Sequence, residues 1–111
     1  MSKFDEKLEL YSKKLKEIEP NFDAELLRKV TKGLGPSIYK LDAEAIACTD
    51  KKETERVREN FLKKKLGLKK SDEELDKAIK EVCEKFGRSK KYRAIVYYLL
   101  TKKFKKEDVY A

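Results

Sequence analysis

An all-α fold is what this sequence predicts, and three features predict it. Tyr92 to Phe104 is the densest apolar stretch of the 111-residue chain. There Tyr92, Ile95, Val96, Leu99 and Leu100 follow the i, i+3, i+4, i+7, i+8 spacing of one helical face, and Ala94, Tyr97 and Tyr98 make much of the remaining circumference apolar. A helix apolar nearly all round belongs in the middle of a domain. Elsewhere Phe4, Leu8, Tyr11, Leu15 and Ile18, then Leu75, Ala78, Ile79, Val82, Cys83 and Phe86, repeat with helical period. No pair of alternating segments suggests a hairpin. The expected architecture is one domain over residues 1–111, a compact bundle of five to six helices around a central apolar C-terminal helix, with 105–111 as a tail.

The elements follow from local signals. The first stripe predicts a helix over Lys3 to Glu19, stopped by Pro20 because the residue before proline is pushed from helical dihedrals. Asn21 or Asp23 caps a second helix with Leu26, Leu27 and Val30 inward, which Gly33 is placed to end. Gly33-Leu34-Gly35-Pro36 is the sharpest turn signal, and Pro36 suits the first position of a short helix through Ser37, Ile38 and Tyr39. Leu41 to Thr49 fits a short helix or a packed loop.

Asp50 with Glu53 has the form of a capping box. It opens a helix with Val57, Phe61, Leu62 and Leu66 inward, ending at Gly67. Ser71 with Glu74 is a second box, with Asp72 and Glu73 near the positive end of the dipole. Gly87 closes that helix, and Ser89 caps the central one.

Charged residues make up 45% of the chain and apolar residues 40%. The regular apolar spacing argues for a folded domain with a densely charged surface, long enough to bury roughly 60–70% of its unfolded surface. The net charge of +8 is lopsided: residues 1–50 carry 9 basic and 10 acidic side chains, residues 51–111 carry 20 and 11. Such asymmetry predicts attraction to nucleic acid, anionic surfaces or acidic proteins. The longest apolar run, Ala94 to Leu100, is far short of the ~20 residues of a spanning helix, so no membrane partner is expected.

Cys48 and Cys83 form no CxxC and no metal spacing. Without a disulfide framework or signal peptide, a cytoplasmic location is expected. Cys83 is either a redox-sensing thiol or a small apolar residue on a core face, and its spacing with Ile79 and Phe86 favours the second.

The sequence lacks histidine, the commonest general base and metal ligand. It has no GxSxG, HExxH, GxGxxG or calcium loop. Gly67-Leu68-Lys69-Lys70-Ser71 lacks the upstream glycine and the strand of a phosphate-binding loop. No catalytic residue, metal site or cofactor is expected.

The basic residues divide in two. Glu25–Lys29, Glu59–Lys63, Glu73–Lys77, Asp76–Lys80 and Glu81–Lys85 are i, i+4 pairs with the acid first, the pattern of solvated helix faces. Three clusters, Lys63 apart, lack such partners. Lys63, Lys64, Lys65, Lys69 and Lys70 form a candidate basic patch. Lys102, Lys103, Lys105 and Lys106 suit the negative end of the central helix.

Arg88, Ser89, Lys90, Lys91 and Arg93 form a candidate anion-binding site. Lys90 and Lys91 fall in the first turn of the central helix, where cations oppose the dipole and a bound anion would relieve them. The alternative is a solvated lysine-rich turn costing ~0.3–1 kcal/mol. A helix-turn-helix through Phe86-Gly87-Arg88-Ser89 would place the most apolar helix in the groove, where polar side chains are needed. A second turn, Val30 to Tyr39, lies in the half without net positive charge.

Gly35-Pro36-Ser37-Ile38-Tyr39, Asn60-Phe61-Leu62 with Lys64-Lys65-Leu66-Gly67-Leu68, Gly87-Arg88-Ser89, and Lys91-Tyr92-Arg93-Ala94-Ile95-Val96-Tyr97-Tyr98-Leu99-Leu100-Thr101-Lys102 resemble the signature of a small bacterial family of domains of unknown function. The likeness runs to Val109-Tyr110. It implies a compact cytoplasmic protein without catalytic residues to carry over, and it draws attention to Gly87-Arg88-Ser89, to Arg93 and to a docked tail.

The functional expectation is therefore a non-catalytic binding module whose basic second half engages an acidic protein or other anionic partner. Weak, sequence-independent nucleic-acid binding is the second reading, and an enzyme acting on a phosphorylated small molecule at Arg88 to Arg93 the third.

Overall fold

The computed structural model describes residues 2–110, and among them there are helices and turns but no strand. Helix α1 spans Lys3–Ile18. Its first turn is capped by Ser2, whose Oγ accepts from the Asp5 N–H at 3.1 Å. Its inward stripe buries Tyr11 and Leu15 completely.

Helix α2 spans Ala24–Leu34. Of its two possible caps Asp23 is the one used, accepting from the Leu26 N–H at 3.1 Å. The helix does not stop at Gly33 as expected; it runs on to Leu34, and Gly35, at φ 62°, makes the break. Pro36 is the reason, since it excludes helical dihedrals from the residue before it. A 3-10 turn, Gly35–Tyr39, follows and buries Ile38.

Leu41 to Thr49 resolves into a one-turn helix, α3 (Leu41–Glu44), and an extended segment. The Ile46 N–H donates to the Lys91 carbonyl at 2.8 Å, and Ala45 bridges to Tyr92.

Helix α4 covers Lys51–Arg56. Asp50 caps it through the Lys52 N–H, but the expected capping box is not closed, because Glu53 turns inward to Arg93 instead. From Val57 to Lys65 the helix continues in the wider π form. The inward residues Val57, Phe61, Leu62 and Leu66 recur every four to five positions. An α-helix would spread them over half its circumference, whereas a helix with i→i+5 bonds collects them on one side. All four are buried. The Leu66 N–H donates to the Phe61 carbonyl at 2.9 Å, and Gly67, at φ 67°, ends the run.

Helix α5 (Asp72–Glu84) starts at Ser71, whose hydroxyl accepts from the Glu74 N–H. It buries Leu75, Ala78, Ile79, Val82 and Cys83.

Helix α6 (Arg93–Lys103) is the centre of the molecule, as its composition predicts. Ala94, Ile95, Val96, Tyr98, Leu99, Leu100 and Thr101 are buried, and the helix packs against α1, α2, α3 and α5. Ser89 does not cap it. The helix begins four residues later, behind Tyr92 in extended geometry, because Lys91 and Tyr92 are held in the pairing with Ala45 and Ile46. Tyr98 reaches across to α2, where its hydroxyl accepts from the Asp23 N–H at 2.7 Å.

In the tail, Glu107–Tyr110 forms a 3-10 turn that packs Tyr110 against the core and leaves Val109 exposed.

The cysteines depart from expectation. Cys48 and Cys83 are joined as a disulfide, with Cα atoms 6.3 Å apart across 35 residues of sequence. Cys83 does lie on the core face of α5, but folding brings it beside the Ala45–Asp50 segment, whose position no local pattern encodes.

Candidate functional site

The charged side chains fall into two classes, those with carboxylate partners inside the protein and those without. The distinction redraws the basic surface.

Around the start of α6 the protein supplies its own anions. Glu44, at the end of α3, is 4% exposed. Its Oε2 accepts from Lys7 Nζ and from the Tyr11 hydroxyl, each at 2.7 Å, and Lys90 Nζ stands 3.5 Å from Oε1. Burial alone would push this carboxyl up. The hydrogen bonds from Lys7 and Tyr11, with the charges of Lys7 and Lys90, outweigh burial and hold it below the usual carboxylate range. Burial and the Glu44 contact together push the Tyr11 hydroxyl far above its ordinary value, so it remains a donor.

Glu53 does the same for Arg93. The Arg93 guanidinium donates to Glu53, to the Ala43 carbonyl at 2.8 Å and to the Tyr97 hydroxyl at 3.0 Å. Burial works against its charge, but Tyr97 and Glu53 raise the guanidinium above its ordinary value. Tyr97 in turn stacks on Phe61, ring centroids 3.8 Å apart, which joins α6 to the π-helical segment.

Of the five residues of the candidate anion site, Lys90 and Arg93 are thus occupied by Glu44 and Glu53. Lys91 Nζ donates to the Gly87 and Ser89 carbonyls at 3.1 and 3.3 Å. Arg88 and Ser89 are exposed. Lys90 and Lys91 precede α6 rather than forming its first turn, so the dipole conflict that singled them out does not arise. The sequence offers little signal for these partners: Glu53 has the place of a capping-box residue, and Glu44 sits in the stretch with least periodicity.

The i, i+4 pairs are only partly realised. Glu25–Lys29 and Glu59–Lys63 form, at 3.5 and 2.8 Å. Two of the other acids are drawn across the structure instead. Asp76 pairs with Arg58 at 3.0 Å, and Glu81 with Lys103 at 2.7 Å.

The candidate basic patch is treated differently from the anion site. Lys63 is bound at 2.8 and 2.6 Å by Glu59 and Asp72, which raise its ammonium above the ordinary range. Lys70 has only a long contact of 3.9 Å with Glu74. Lys64, Lys65 and Lys69 are exposed and form no salt bridge among the described residues.

Packing then adds the end of α6 to this patch. Lys70, Lys77 and Lys103 line one hollow of about 420 Å³ together with Glu74, Glu81 and Phe104. Lys65 Nζ lies 5.1 Å from the centre of the Tyr110 ring, tying the patch to the tail. Lys103 itself is bound to Glu81 at 2.7 Å, so the end of α6 meets the patch through a hollow of mixed charge.

Residues 10–108 match the model of a family described as a protein of unknown function, DUF2853. No curated protein matches the chain.

Proposed function

The chain belongs to that family, and from the way its charges are partnered we propose that it is a non-catalytic binding module that engages an acidic or otherwise anionic partner. The surface it uses is the patch of Lys64, Lys65, Lys69 and Lys70, which meets the tail where Lys65 lies over the Tyr110 ring. The observation that carries this reading is the contrast between its two basic regions. Of the cations next to the start of α6, Lys90, Arg93 and Lys91 are held by Glu44, Glu53 and backbone carbonyls, while Arg88 is exposed. Lys64, Lys65 and Lys69 keep their charge toward solvent. Cations already neutralised add little to long-range attraction, whereas unpaired ones steer and hold an anion in a salt-dependent way. The reading takes the protein as cytoplasmic.

Titration by fluorescence anisotropy tests it, with labelled polyglutamate, single-stranded RNA and duplex DNA at low and physiological salt. Binding weakens steeply as salt rises, and Lys64, Lys65 and Lys69→Gln together reduce the salt slope by about 2–3 if the anion is a nucleic acid. Substituting Arg88 and Lys91 with Gln has the smaller effect. Tighter binding of nucleic acid than of polyglutamate selects the nucleic-acid reading. No binding to any of the three at low salt sinks the proposal.

A further inference from the structure

The disulfide between Cys48 and Cys83 joins the segment after α3 to the last turns of α5, and these are the only two cysteines of the chain. Other contacts also hold this place. Ile46 is buried and its N–H is taken by the Lys91 carbonyl, while the Asp50 N–H is taken by the Ala47 carbonyl. Ile79 and Val82 bury the core face of α5 beside Cys83. The bond therefore fastens a short turn, Ala47 to Asp50, that follows the anchored Ile46, is closed by its own hydrogen bond and leads into α4, which Asp50 caps.

The two cysteine residues are unequally exposed. Cys83 is 5% exposed, whereas Cys48 is half-buried on the loop. Both border a hollow of about 480 Å³ floored by Ile79. Lys80 and Lys91 line it against Asp76 and Glu84, so its charge is balanced and exposure is what distinguishes the cysteines.

We propose that Cys48 and Cys83 are a reversible thiol–disulfide couple, a modification site that exchanges with low-molecular-weight disulfides of the glutathione type, with Cys48 the sulfur that reacts first. In the oxidising direction the Cys48 thiolate attacks one sulfur of the small disulfide, forming a mixed disulfide and expelling one small thiolate. The Cys83 thiolate then attacks Cys48 Sγ, closes the protein disulfide and expels the second small thiolate. The two expelled thiolates take up the two protons the cysteines lose, so two protein thiols are oxidised as one small disulfide becomes two thiols. Reduction is the reverse, and both states keep the helical fold.

The test equilibrates the full chain in glutathione buffers from fully reduced to fully oxidised, with acid quench, alkylation and intact-mass measurement. The wild type passes between the dithiol and the internal disulfide across that range with unchanged far-ultraviolet circular dichroism. Cys83→Ser accumulates a glutathione adduct at Cys48, and Cys48→Ser acquires one about tenfold more slowly, because a thiol must be reached to exchange. A wild type that stays reduced in the most oxidising buffer overturns the proposal. So does a reduced form that loses its helical signal, or equal adduct rates in the two variants. Should either variant fail to fold, brief alkylation of the reduced wild type followed by peptide mass measurement compares the two thiols instead, and labelling of Cys83 as fast as Cys48 overturns the order.

Discussion

Removing the Glu44 carboxylate should cost far more than a surface charge does, and the reason is the group it leaves behind. In the wild type one oxygen of Glu44 serves both the Tyr11 hydroxyl and Lys7, each at 2.7 Å, in a place where Tyr11 is fully buried. Glu44→Ala strands that hydroxyl inside the core. A buried donor without an acceptor costs about 1–3 kcal/mol. Lys7 and Lys90 are partly exposed and recover water, so each lost pair adds only about 0.2–1 kcal/mol. The sum is about 1.4–5 kcal/mol, or roughly 6–20 °C in Tm for a domain of this size.

Tyr11→Phe removes the donor itself and costs less, about 1–2 kcal/mol. In the double variant no hydroxyl is stranded, so the two costs fail to add by about 1–2 kcal/mol. Urea unfolding of the four proteins, followed by circular dichroism, measures the cycle. Additive costs, or a Glu44→Ala cost below about 0.5 kcal/mol, would refute the idea that the stranded hydroxyl dominates. Acid supplies an independent check. Glu44 is held below its ordinary value in the folded state, so its contribution is complete above the unfolded glutamate value near ~4.3 and fades as pH falls through the lower, folded one. The stability advantage of wild type over Glu44→Gln should shrink in that acid window and nowhere between pH ~5 and ~8.

Burial raises the Tyr110 hydroxyl to about 12, and Tyr97 and Tyr98 also titrate above their ordinary value. Their contribution is complete below the unfolded tyrosine value near ~10 and is lost as pH rises through the folded values. Tyrosinate absorbance should therefore lag behind that of model tyrosine and rise together with the loss of helix. Leu100 is fully buried in α6, so Leu100→Ala should cost about 2–5 kcal/mol. Leu41, 88% exposed, should change stability by less than ~0.5 kcal/mol on the same substitution, as read from urea midpoints. Gly67→Ala meets no neighbouring atom, yet its φ of 67° should cost about 1–2 kcal/mol in the same assay, a purely backbone effect.

The local sequence determined the elements whose cause is local. Ser71 caps α5 because its hydroxyl reaches an N–H three residues on, and the stripe from Leu75 to Phe86 meets the core because its period is that of an α-helix. The all-round apolar character of Tyr92 to Phe104 told its central place for the same reason: such a surface has nowhere to go but inside. The lopsided charge was equally plain, since charge is counted without folding.

What only the tertiary structure decided is which charges remain free. Glu44 reaches Lys7 and Lys90, and Glu53 reaches Arg93, across 37 to 46 residues of sequence. Partners that distant leave no spacing to read. Cys48 and Cys83 met in the same way. The π-helical run lay between the two cases. Its four-to-five-residue apolar recurrence is present in the sequence, but i→i+5 bonding is favourable there because Val57, Phe61, Leu62 and Leu66 have a core to enter, and α5 and α6 supply that core. Secondary structure follows from neighbours within a turn or two, whereas a functional surface is the remainder after every long-range pairing has been made.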